Sequence, residues 1–352
     1  MSDIDSLRDW LDAETAAHRF SGVALAWRDG REVFSYAGGL ASRAHRVPVT
    51  LESRFGIASV TKMITAVVAL TLVEEGLLSL DQPLIEVLPP SQHIASLGSD
   101  HTLHHVLSHT SALPNYFDDD DPTWTSWMSS FDRVPVDHVR RPADMLPLFE
   151  QLPRVGTVGG DYRYCDSNFL VAGLAIEAVT GQPFGEVTRQ RVLDPAGMAD
   201  SGFFDLDTDP QGLATGYLTS EERPETWRSN IYSLTASGMP DGGMIATAAD
   251  MARFMDCLLR GTLLSAESLK GMMTPHSTPS EEGGTYGYGL EMVVDRDRML
   301  LLGHGGSDPG VATMVNHYPD IDLTVVILCN QDRGAFAAEA RVGAAFGAPS
   351  HL

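Results

Sequence analysis

Lysine is almost missing from this 352-residue chain, with Lys62 and Lys270 as its only two examples among 24 basic residues set against 47 acidic ones. The formal net charge of -23 excludes nucleic acid or an anionic membrane surface as a partner, since both require a basic footprint. Solubility is the simplest reading of that charge. Cysteine is also scarce: Cys165, Cys257 and Cys329 are odd in number and far apart, which excludes a disulfide framework and a zinc spacing. The longest apolar run, around residues 63–73, is too short to span a bilayer. The first residues, Ser2-Asp3-Ile4-Asp5, lack a basic region followed by an apolar one, so a cytoplasmic location is expected unless an export leader has been removed.

Apolar residues make up 43% of the chain, enough for a sizeable core in one large domain or two interleaved ones. Residues 4–18 carry Ile4, Leu7, Trp10, Leu11 and Ala16 on a helical period. Two strand patterns, 23–28 and 32–37, are joined at Asp29-Gly30, a strong hairpin signal. An apolar helix carrying Ser59 follows and is expected to end near Gly76. Residues 77–233 hold helix-length segments and long polar connections, and another helix is expected over 247–260. Strand patterns return at 286–294, 299–302, 311–318 and 323–329, before a last helix over 335–346. The expected fold is α/β (α+β): an antiparallel sheet flanked by N- and C-terminal helices, built from 1–76 and 234–352, with 77–233 as an inserted, mainly helical lobe.

One of the two lysines sits where it can do chemistry. In Phe55-Gly56-Ile57-Ala58-Ser59-Val60-Thr61-Lys62 the amine lies three residues after a serine, on one helix face. Serine is a weak nucleophile until a neighbouring base takes its proton, and a desolvated lysine serves that purpose. Apolar Met63 and Ile64 beside Lys62 argue for burial, which favours the neutral amine. The plainer alternative makes Ser59 a helix cap and Lys62 a surface residue. A second segment, Tyr164-Cys165-Asp166-Ser167-Asn168-Phe169, sets a phenol and short polar groups at the mouth of an apolar helix. Beside a cationic lysine a phenolate would be a proton shuttle; otherwise Tyr164 is a half-buried tyrosine with a satisfied hydroxyl. A third, Gly303-His304-Gly305-Gly306-Ser307-Asp308-Pro309-Gly310, is glycine-rich beside a strand, as where a ligand or another backbone approaches closely. The alternative is a glycine-rich hairpin with an incidental histidine.

Taken together, Ser59-x-x-Lys62, Tyr164-x-Asp166 and His304-x-Gly306, in that order, resemble the serine β-lactamase and penicillin-binding protein family. The branch is that of class C β-lactamases, D,D-peptidases and β-lactamase-like esterases. The likeness runs from about Gly22 to Asn330 and includes Leu107-Ser108-His109-Thr110-Ser111 and Gly242-Gly243-Met244-Ile245-Ala246-Thr247. The resemblance implies Ser59 as nucleophile, Lys62 as its helper, Tyr164 as proton carrier and His304 in the place of a basic residue. It also implies an oxyanion hole from the backbone N–H groups of Ser59 and Ser307, and no metal or cofactor. Two departures stand out: Asp166 replaces the usual asparagine, and Gly305 replaces a hydroxylated residue that grips a substrate carboxylate. Both turn the expectation from a penicillin or D-Ala-D-Ala terminus to a neutral or cationic small ester or amide. The alternatives are a D,D-peptidase, D-aminopeptidase or β-lactamase, and, outside enzymes, a penicillin-recognition or scaffold protein that acylates without turnover.

Three other clusters carry less. His101, His104, His105 and His109 lack an accompanying carboxylate, so a structural role is expected rather than a metal site. Asp118–Asp121 lacks the spacing and glycine of a calcium loop. Trp124, Trp127 and Phe131 either line a pocket or pin a loop to the core.

Overall fold

In the computed structural model, which describes residues 3–117, 125–132, 134–219, 226–277 and 284–349, Asp29 and Gly30 both take positive φ, 52° and 71°. That geometry closes a two-residue hairpin between β1 (Gly22–Arg28) and β2 (Arg31–Gly38). The hairpin joins five C-terminal strands: β3 (Gly284–Tyr286), β4 (Glu291–Asp295), β5 (Arg298–Asp308), β6 (Val311–Tyr318) and β7 (Leu323–Cys329). They form one seven-stranded antiparallel sheet in the order β2-β1-β7-β6-β5-β4-β3.

The central strand β7 reads Leu-Thr-Val-Val-Ile-Leu-Cys and is buried at every position, because both sheet faces are covered. Val326 and Leu328 face one core with Val23 and Leu25, together with helices α2 (Thr61–Glu74), α3 (Asp166–Thr180) and α4 (Ala248–Leu259). Val325 and Ile327 face the other, with Leu7 and Leu11 of α1 (Asp3–Ala16) and Ala338 and Val342 of α5 (Ala335–Ala345). The two-residue alternation of side chains thus divides one strand between two cores. The segment 77–233 contributes helices, α3 among them, and also a short ribbon pairing Tyr217–Thr219 with Trp227–Ser229.

Three boundaries differ from the sequence reading. The run 286–294 is not one strand: Gly289, at φ +67°, turns the chain between β3 and β4 so closely over α2 that a Cβ there would lie 2.6 Å from the Lys62 carbonyl oxygen. The glycine-rich segment is not a loop, because its residues from Gly303 to Asp308 continue β5, in register with β6 from Gly303↔Asn316 to Asp308↔Val311. Ser59 does not begin a regular α-helix but lies on a 3₁₀ turn, Ala58–Val60, in front of α2. At the other end Gly76, at φ +72°, stops α2 as expected, with Leu77 N–H returning to the Leu72 carbonyl.

Candidate active site

Ser59 is set in place by neighbours far away in sequence. Phe55–Gly56 pairs with Ile245–Ala246, and the Met244 N–H donates to the Thr61 hydroxyl. Ala58 takes φ +46°, a conformation that costs a non-glycine residue energy and that the surroundings must hold. The turn packs against β5 so tightly that a Cβ on Gly306 would lie 2.6 Å from the Ile57 carbonyl oxygen. That contact, rather than turn flexibility, is why residue 306 must be glycine.

Lys62 is wholly buried, at 0% exposure, and its ammonium has three acceptors. Nζ donates to Ser59 Oγ at 2.9 Å, to Asp166 Oδ1 at 2.5 Å and to the Asp241 carbonyl at 2.6 Å. The surface-residue alternative for Lys62 is therefore overturned. Asp166, the departure from the family pattern, is the counter-charge that makes burial of this cation tolerable; breaking such a pair from one side costs about 3–5 kcal/mol. Thr65, one turn further along α2, donates to the Pro240 carbonyl at 2.6 Å and fixes the same segment.

Tyr164 shares a hydrogen bond with Ser59, and the Lys62 ammonium lies 4.9 Å from its ring centroid. Desolvation, Asp166 and Tyr286 together push this phenol well above its ordinary value. It is a neutral O–H, not the phenolate that proximity to a cation suggests. His109 supports this motif from beneath: it is buried, its ring lies 4.5 Å from that of Tyr164, and its Nδ1 accepts from Cys165 N–H and Asn168 Nδ2, each at 3.1 Å. The histidine cluster is thus structural at this position, and among the described residues no group of three or more His, Cys, Asp or Glu is arranged to hold a metal ion.

His304 lies in the same cluster but does not face the cleft. It is 1% exposed; Nδ1–H donates to the Gly305 carbonyl at 2.5 Å and Nε2 accepts from Tyr286 Oη at 3.0 Å. Burial lowers its pKa, so the imidazole is neutral. The pairing of β4 with β5 stops at Gly303, leaving the next residues of β5 without a strand on that side among the described residues. Gly305 N–H is taken by Glu291 Oε2 at 2.9 Å on this edge. By the two-residue repeat of a strand, the Ser307 N–H falls on the same edge, where the Ser59 turn packs.

These groups open onto a cavity of about 620 Å³ lined by Ser59, Asp166, Asp241, Ser307, Asp308 and aromatic residues. Trp127 lines it, with its Nε1 donating to the Ser233 carbonyl at 3.0 Å, whereas Phe131 is buried in the core. Trp124 and Asp118–Asp121 lie outside the described residues. Cys165 is buried, its Sγ 3.5 Å from the Leu113 carbonyl. Sequence reasoning missed Asp241, Tyr116 and Tyr286 as neighbours of the site. Asp241 precedes Gly242-Gly243, which was the available signal; the two tyrosines gave none.

A sheet flanked by helices on both faces, with a Ser-x-x-Lys turn packed beside its overhanging strand and the lysine buried, is the architecture of serine hydrolases with a β-lactamase-like fold. The family described as Beta-lactamase matches residues 7–348, and the chain belongs to that family. A crystal structure of a penicillin binding protein from Bacillus halodurans superposes with a TM-score of 0.85 at 35% identity, covering 95% of this chain and 98% of that one. Esterase EstB of Burkholderia gladioli is 31% identical over 217 residues, 59% of this chain and 53% of its own. A D-aminopeptidase of Brucella anthropi is 28% identical over 325 residues, 89% of this chain and 56% of its own. The chain spans little more than half the length of these two relatives. No helix among the described residues is long and apolar enough to cross a membrane.

Proposed function

We propose that this protein hydrolyses carboxylic esters or small amides through an acyl-Ser59 intermediate, and that the observation carrying the proposal is the fully buried Lys62 ammonium 2.9 Å from Ser59 Oγ. Lys62 holds protons on three sides. Passing one to Asp166, its closest acceptor, leaves an amine able to take the Ser59 proton as Oγ attacks the substrate carbonyl. The oxyanion that forms is received by the N–H groups of Ser59 and Ser307. Tyr164, a neutral phenol in contact with Ser59, gives its proton to the departing alkoxide or amine and regains one from Lys62. Water then enters by the same relay and releases the acid, restoring the serine. Buried His304 and Tyr286 shape β5 at this point rather than touch the substrate, and Gly305 and Gly306 let the substrate and the Ser59 turn approach.

The cleft favours esters or amides without a carboxylate, because the grip such a group needs is missing at Gly305 and Asp166 is acidic. A short-chain chromogenic ester and a chromogenic cephalosporin, each given to wild type and Ser59→Ala, provide the test. Ester turnover that vanishes with Ser59, with little or no cephalosporin turnover, is expected. Ester hydrolysis surviving in Ser59→Ala removes the serine from the mechanism, and stable acylation by the cephalosporin without turnover favours a penicillin-recognition protein.

A further inference from the structure

Asp137, Asp166, Asp207, Asp209, Asp241 and Asp308 line the cavity that holds Ser59, and among the described residues no lysine, arginine or histidine does. Two of the six are neutralised by a cation lying outside the lining: Asp166 by Lys62 and Asp207 by Arg140. Asp241 is different. It is 4% exposed, and its Oδ2 accepts from Tyr116 Oη at 2.9 Å, while Oδ1 is buried with no hydrogen-bond partner among the described residues. Buried carboxylate oxygens are rarely left so, because nothing replaces the water they lost. Lys62 cannot fill the gap, since an ammonium has three N–H donors and all three are engaged elsewhere. Protonating Asp241 does not help either, for Oδ1 would then be an unpartnered acceptor or an unpartnered donor.

Asp308 stands close enough to Asp241 for the two carboxyls to repel each other. Tyr116, Phe117 and Trp127 line the same cavity, with the Tyr116 ring 5.1 Å from Phe117 and 5.5 Å from Trp127. Aromatic faces attract cations. The Asp241 carbonyl and Ser59 Oγ share the Lys62 ammonium, at 2.6 and 2.9 Å, so this corner is within a few bonds of a carbonyl bound at Ser59.

We propose that Asp241 and Asp308, backed by Tyr116, Phe117 and Trp127, form a seat for an ammonium group, making the preferred substrates esters or amides that carry an amine a few bonds from the scissile carbonyl. This rests on the hydrolase reading above, and the test separates the two. The 4-nitrophenyl esters of alanine (both enantiomers) and of 2-methylpropanoic acid differ by an ammonium in place of a methyl group. Their kcat/KM values, corrected for spontaneous hydrolysis, are measured for wild type, Asp241→Asn and Asp308→Asn. The expected wild-type preference for an alanine ester is about tenfold or more, falling to about threefold or less in each variant, whatever happens to absolute rates. No preference, or a preference unchanged in both variants, overturns the seat; if 2-methylpropanoate is still cleaved in a Ser59-dependent way, the hydrolase reading stands. If neither ester is turned over, the hydrolase reading fails. The seat is then decided by calorimetric titration of the Ser59→Ala protein with alaninamide and 2-methylpropanamide: binding of the amine alone supports it, and equal or absent binding of both overturns it.

Discussion

Asp166 and Asp241 approach Lys62 from two parts of the chain, the first turn of α3 and the loop that precedes Ile245–Ala246, and their surroundings differ. Asp166 gives a carboxylate oxygen to the ammonium at 2.5 Å; Asp241 gives only its backbone carbonyl and leaves one side-chain oxygen without a partner among the described residues. The α3 side is a completed ion pair, built to keep a buried cation in contact with a serine. The Asp241 side is an incomplete one: its carboxyl accepts only from the neutral Tyr116 hydroxyl among the described residues, and the residue lines the cleft. In the two proposals above, machinery and recognition lie on opposite sides of a single amine.

The completed side breaks most visibly at the lysine itself. Lys62→Arg keeps the charge but cannot surrender a proton, so ester hydrolysis is expected to fall by about 1,000-fold with the far-ultraviolet circular dichroism unchanged. Activity close to wild type in that variant takes lysine out of the proton relay. Tyr164→Phe removes the phenol next to Ser59, and both acylation and deacylation, separated by pre-steady-state kinetics, should slow by about 100-fold. Equal rates with and without the hydroxyl return the role to another acid. Asp166→Asn removes the negative charge from the completed side, and kcat/KM for a carboxylate-bearing ester should rise relative to its neutral isostere by about threefold to tenfold. An unchanged ratio shows that Asp166 does not govern substrate charge.

The incomplete side is tested by pH. Burial, then repulsion by Asp241, pushes the Asp308 carboxyl up to about 8; burial, then repulsion by Asp166, pushes that of Asp241 up to about 7, with Lys62 opposing both. Both folded values lie above the unfolded one, so between the two the folded state binds more protons. The stability these groups contribute is complete below the unfolded value near 4 and is lost as pH rises through 7 to 8. Thermal melts should show Tm falling over this window, and Asp308→Asn should flatten the fall by about 2 °C or more. A Tm that climbs over the same range, identically in the variant, contradicts the raised carboxyls.

What could be read from the chain was local. Asp29-Gly30 announced a hairpin because few dipeptides accept two positive φ values, and Gly76 announced the end of α2 for a related reason. The three motifs were legible because each packs its chemistry into a few consecutive residues. Their partners were not: Asp166 lies 104 residues from Lys62 and Asp241 lies 179, and no periodicity reports a contact across such distances. The continuation of β5 through Gly303–Asp308 was hidden because its glycines look like a turn, whereas one of them, Gly306, is there to admit the Ser59 turn. The charge of Tyr164 was misjudged for a similar reason, since desolvation by residues from other segments outweighs the nearby cation.

A trapped intermediate tests the central claim most directly. Intact-protein mass spectrometry of wild type quenched during turnover of a slow ester, followed by peptide mapping, should show a mass increase equal to the acyl group on the peptide containing Ser59, with none in Ser59→Ala. An adduct on another residue, or turnover with no covalent species at any quench time, contradicts an acyl-serine mechanism.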